Sequence, residues 1–180
     1  MNHPFPWLVD HRAVWLGLLW AATLALATVL SIRGKSLQTP DAPRGVLSLE
    51  LAWSQAGADA VLGSWSESLR DEARTQIRLD FLFLVVYPLA LSLSCAWLAE
   101  SPLDSMAPAG VFIAWAVLLA GPLDLIENLT MLRMVSAGAT TALGRLAAWC
   151  AGLKFTLVFA ALGYLVLQGL VVAGTKLKGG

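Results

Sequence analysis

Charge is scarce in this chain. Of its 180 residues only 13% are Asp, Glu, Lys or Arg, while 58% are hydrophobic. An average soluble domain carries about a quarter charged residues, so an ordinary water-soluble globule is excluded and a polytopic membrane protein is expected. Twelve basic residues against twelve acidic ones leave no net charge; without a basic excess, nucleic acid is not an expected partner. The only cysteines, Cys95 and Cys150, fall at different depths of separate apolar segments, so no disulfide is expected between them. Both histidines, His3 and His11, precede the first apolar run, so no His/Cys cluster offers metal or haem ligands and no cofactor is implied. No nucleophile elbow or phosphate-binding loop is present, and neither is an internal repeat.

What the chain does have is length in its apolar runs, with a mean hydropathy of +0.71. Four segments, near Ala13–Ile32, Leu79–Ala99, Ala107–Leu132 and Leu146–Val172, reach the roughly twenty residues that cross a bilayer core. The first mimics a signal peptide, with "ALA" at Ala25–Ala27 as a cleavage-like site. Its apolar run is too long for a signal core, and Asp10 offsets Arg12 ahead of it, so it reads as a retained span. The expectation is an all-α, single membrane domain over residues 1–180, a bundle of four transmembrane helices.

The sizeable polar region lies between spans one and two. "GKSLQTPDAPRG" (Gly34–Gly45) reads as a linker. After it, over about residues 46–70, Leu47, Leu51, Ala58, Val61 and Leu62 recur at helical spacing, which predicts an amphipathic helix lying on the membrane surface. The alternation in "LSLEL" leaves a short strand as the alternative. Ser64-Trp65-Ser66-Glu67 has the spacing of a capping box and predicts a helix that starts there and runs into the second span.

Orientation follows from the basic residues, which accumulate on the cytoplasmic side of membrane proteins. Arg33, Lys35, Arg44, Arg70, Arg74, Arg78, Arg133 and Arg145 fall on one side, against Arg12, Lys176 and Lys178 on the other, and the loop "ESPLDSMAPAG" has none. The long first loop is therefore expected in the cytoplasm and both termini outside, in a bacterial inner membrane. Trp7, Trp15, Trp97 and Trp115 fall near one boundary and Trp53, Trp65 and Trp149 near the other, as an aromatic belt would.

Polar residues inside the spans carry the functional signal. Tyr87, Asp124 and Lys154 each lie nine residues inward from a boundary arginine, Arg78, Arg133 and Arg145 respectively. That is roughly 13 Å of helix in each case. Glu127 and Asn128 are a turn shallower, and Asp80 is close to the interface. Pro88 and Pro122 lie at similar depth, where a proline inside a helix frees a carbonyl that needs shelter within the bundle. Asp124, Glu127, Asn128 and Met131 share one helical face by their spacing. An acid at a span centre costs about 2.5–3.5 kcal/mol on insertion scales, so this face should point inward with Lys154 as its partner. One ammonium does not balance Asp80, Asp124 and Glu127 together. A retained proton, a cation or a ligand's positive group is expected to supply the rest. Glu50, on or beside the apolar face of the surface helix, is a candidate lid residue. The bland readings are a snorkelling Lys154, a polar lock that only fixes helix register, and an interfacial cap if the third span ends early. On span four, Gly144, Ala148, Gly152, Thr156 and Ala160 form a small-residue ridge facing away from Lys154, for packing a neighbouring span or a second copy in a homodimer.

"LELAW", "LDFLFLVVYP" and "GPLDLIENLTML", in that order between Leu47 and Leu132, loosely resemble a pattern of four-helix bacterial integral membrane proteins whose activity is not established. The resemblance implies the architecture and no mechanism. Three functions remain: a module in the lipid bilayer binding or transporting a small ligand, a cation or a proton; an accessory or assembly protein whose polar cluster is structural; and a membrane enzyme acting on a lipid-like substrate through Asp124 or Glu127 as general acid/base, which is the least favoured.

Overall fold

The computed structural model describes residues 2–101 and 106–178, so part of the loop "ESPLDSMAPAG" lies outside the described residues. The regular structure of the described residues is all helical: α1 (Arg12–Gly34), α2 (Val46–Glu50), α3 (Gln55–Ser64), α4 (Glu67–Ala99), α5 (Ala107–Val117), α6 (Ala120–Ala137) and α7 (Thr141–Lys178). Four stretches are long and apolar enough to cross a membrane: Arg12–Leu37, Glu67–Ala99, Ala107–Ala137 and Thr141–Val171. All four expected spans are present, and the second and fourth begin earlier than their apolar runs. Hydropathy marks where lipid begins, whereas the helix continues for as long as its backbone bonds are satisfied.

α4 runs through the centre of the bundle, packing against α1, α5, α6 and α7, and α6 lies along α7. α1 leans on α4 and makes no extended contact with α6 or α7. Its attachment is polar at intervals. Trp20 Nε1 donates to Ser94 Oγ at 3.0 Å, and Arg33 grips both oxygens of Glu72 at 2.9 and 3.2 Å. Small residues let the other helices close up. A Cβ at Gly121 of α6 would sit 3.1 Å from the Leu84 carbonyl of α4, and one at Gly110 of α5 would overlap the Tyr164 hydroxyl of α7.

The third span is not one helix. The chain turns at Leu118–Leu119, and i→i+3 bonds from Leu119 N to Ala116 O and Gly121 N to Leu118 O replace the α-helical ladder. Pro122 explains the reset: having no N–H, it cannot continue the bond to Leu118 O. It sits in the first turn of α6, where a missing donor costs nothing, rather than kinking a continuous helix as its sequence position suggested. Beside the break, buried Ser92 donates to the Ala114 carbonyl at 2.5 Å, sheltering backbone polarity inside the bundle. Pro88 does lie inside α4, buried against its neighbours.

The expected single surface helix is two short helices, α2 and α3, split at Trp53. That residue takes φ +53°, with Ser54 N donating to Ala52 O across it. Ser54 then caps α3, its side chain accepting from Gly57 N at 3.1 Å. No strand forms among the described residues. Nor does the segment lie apart from the bundle. Leu37, Leu49, Ala58, Val61, Leu62 and Trp65 are buried with Ala73, Ile77, Met131 and Met134 in a core that closes one end of the bundle. Trp65, expected in the aromatic belt, is 3% exposed and donates from Nε1 to the Leu37 carbonyl at 2.9 Å. The capping box is displaced: Ser64 ends α3, and Ser66 caps α4 by accepting from Leu69 N. Gly45 makes the entry into α2 possible, since its φ of +59° brings the position of a Cβ within 2.9 Å of the Gly34 carbonyl. The small-residue ridge of α7 is divided. Gly144 and Ala148 are buried, Gly144 against the backbone of Ser54, while Gly152, Thr156 and Ala160 are exposed.

Candidate functional site

On α7, Ala147, Ala148 and Ala151 are buried ahead of Lys154, small residues that suit the close packing of α7 on α6. On α6 the facing stripe is Asp124, Glu127, Asn128 and Met131, all 3% exposed or less. Lys154 Nζ donates to Asp124 Oδ1 and to Glu127 Oε1, both at 2.9 Å, with Glu127 Oε2 at 2.8 Å. The lysine does not snorkel. Lys154 is 8% exposed, and an ammonium held away from water requires such partners. Its Nζ is also 5.0 Å from the centroid of the Phe155 ring.

Glu50 arrives from the end of α2 and places Oε1 3.2 Å from Lys154 Nζ, itself 7% exposed. It is thus a direct partner of the lysine, and α2 packs on both α6 and α7. Burial raises the Glu50 carboxyl above its ordinary value of 4.5, with the Lys154 charge opposing that rise. Asp80, on α4, accepts from Asn128 Nδ2 at 2.7 Å. It reaches the cluster even though the sequence placed it near the interface, because α4 and α6 pack side by side. Tyr87, a turn or two deeper on α4, is buried and stacks on Phe83 with centroids 4.8 Å apart, yet its hydroxyl has no hydrogen-bond partner.

These seven residues, the six intramembrane candidates and Glu50, line a single cavity of about 380 Å³ together with Arg44, Gln76, Met131 and apolar side chains from α1, α2, α4 and α7. That volume lies at the small end of the roughly 300–1,000 Å³ common for small-molecule sites. Arg44 and Gln76 were not legible as site residues. Arg44 sits in the linker, and only the fold of α2 under the bundle brings it to the cavity. Four carboxyl groups and two cationic groups therefore share the lining. Among the described residues no group of three His, Cys, Asp or Glu side chains is arranged to hold a metal ion. Both cysteines are free and buried.

A four-span helical bundle with an ion-paired cluster beside a cavity is the class that this geometry defines. The chain matches no family model, no curated protein and no solved structure.

Proposed function

We propose that the chain is a membrane binding module that takes a proton or a small cationic ligand into the cavity bordered by Glu50, Asp80, Asp124, Glu127 and Lys154. One observation carries the reading. The acids outnumber the cations in a cavity that also holds the unpartnered Tyr87 hydroxyl. An excess of buried negative charge calls for a positive group. A cluster that served register alone would be expected to close on itself without leaving space beside it. General acid/base catalysis is less supported, because Lys154 holds one oxygen of Asp124 and both oxygens of Glu127.

The lysine and arginine bias puts α2 and α3 on the cytoplasmic side of a bacterial inner membrane, with both termini outside, so the cavity would load from the cytoplasmic half. The exposed residues Gly152, Thr156 and Ala160 would serve a second copy, if transport requires one. Purified protein titrated with ethylamine and with Na⁺ between pH 5 and 8 tests the reading. Thermal stabilisation should accompany proton release, and Asp124→Asn should weaken binding more than folding. If no titrant shifts stability and Asp124→Asn only unfolds the bundle, the accessory reading replaces this one.

A further inference from the structure

The cavity has two chemically distinct borders. Toward the bundle axis lie the carboxyl groups of Glu50, Asp80, Asp124 and Glu127. The rest of the lining includes Leu30 of α1, Val46 and Leu47 of α2, Phe83 of α4, and Phe155 and Val158 of α7, all partly exposed. α1 and α7 both border the cavity yet share no extended contact. An aqueous amine would have no use for an apolar wall of this kind. Arg44 adds a third element. It is exposed at the α2 end of the same lining, and among the described residues no carboxylate forms an ion pair with its guanidinium. Inside, the Tyr87 hydroxyl, on a side chain 6% exposed, faces the cavity unpartnered.

Resting on the cation-site reading, we infer that the occupant is a membrane phospholipid with a primary-amine head group, entering sideways between α1 and α7. Its ammonium sits among Asp80, Asp124 and the Tyr87 hydroxyl. Its phosphate meets Arg44, whose forked donors suit phosphate oxygens, and its acyl chains lie outside the protein along Leu30, Phe155 and Val158. The cavity is too small for a whole lipid and suits a head group. Three N–H donors give a primary ammonium the directional bonds that a quaternary head group lacks, so the site discriminates between the two by hydrogen bonding rather than by charge.

The test uses full-length protein in detergent, with phosphoethanolamine, phosphocholine and phosphoglycerol lipids of identical chains added in turn. Native mass spectrometry and thermal unfolding are the readouts. One phosphoethanolamine lipid should be retained per chain and should stabilise it, with affinity at least tenfold above the other two. Arg44→Gln should lower that affinity about tenfold without changing the melting temperature of the lipid-free protein. Leu30→Trp, on the rim, should weaken lipid binding more than ethylamine binding. Equal retention of the phosphocholine lipid overturns the inference, as does soluble phosphoethanolamine binding as tightly as the lipid, or a long-chain amine binding where the phospholipid does not. Ethylamine binding without any lipid preference overturns this inference alone and leaves the cation site standing; loss of both removes both.

Discussion

Lys154 on α7 and Asp124 on α6 meet at 2.9 Å, although thirty residues of chain separate them. Each lies nine residues from the arginine that marks its end of the hairpin, Arg145 or Arg133, and the two helices are antiparallel neighbours. Equal depth on adjacent helices therefore becomes contact.

Removing the ammonium should be costly. Lys154→Met leaves Asp124, Glu127 and Glu50 facing one another, and breaking a buried ion pair from one side typically costs about 3–5 kcal/mol. Adding Asp124→Asn should recover part of that loss. A double-mutant cycle on thermal or denaturant unfolding should give a coupling of about 0.5–3 kcal/mol, and additive single effects would refute a shared network.

Glu50 gives stability a pH dependence. Its folded-state carboxyl titrates above the ordinary 4.5, so the folded form holds the proton more tightly than the unfolded form. Its contribution is therefore full below pH 4.5 and is lost as pH rises through the elevated folded value. Melting temperature should fall over that range in the wild type, and Glu50→Gln should flatten the fall. A wild-type profile unchanged by Glu50→Gln would contradict the assignment.

The opposite end of the bundle should respond with the opposite sign. Glu100 accepts from His3 at 2.6 Å and from Arg12, and these bonds, against the effect of partial burial, hold its carboxyl below the ordinary range. Stability from this contact is present above pH 4.5 and is lost as pH falls through the lowered value. Acidification should therefore release the segment before α1. Hydrogen exchange of residues 2–11 should rise at low pH in the wild type and at neutral pH in Glu100→Gln.

Trp65 ties the closing end to the site. Trp65→Ala removes a buried indole and leaves the Leu37 carbonyl without its donor, a loss of about 3–5 kcal/mol. Because α2 and α3 share that core, Glu50 should lose its position too. Ethylamine affinity should then drop in Trp65→Ala and survive in Trp65→Phe. Equal affinities in the two variants would show that Glu50 is held by other means.

The four spans and the face Asp124–Glu127–Asn128–Met131 were legible because lipid imposes simple rules. Apolar length marks a span, and a costly acid must turn inward. Arginine positions then supplied depth, and depth alone paired Lys154 with α6. Tertiary choices were not legible. The break between α5 and α6 follows from Pro122, but a proline also permits a kink, and only packing against Ser92 and Leu84 selects between them. Splitting at Trp53 places a non-glycine residue at positive φ, which local preference argues against. Glu50 and Trp65 were read as surface residues because a short amphipathic segment looks the same on lipid as on a protein core. Arg44 carried no signal, since its linker has no periodicity to assign a face.

The hairpin of α6 and α7, joined through residues 138–140, also constrains how the chain is made. Synthesis delivers Asp124 and Glu127 to the membrane before Lys154 has been translated. In that interval the two acids have no ammonium, and α6 is the least favourable span to release into lipid. Pairing within the hairpin offsets that cost only once α7 has been made. A chain ending after Ala137 would carry every acid of the cluster and none of its lysine.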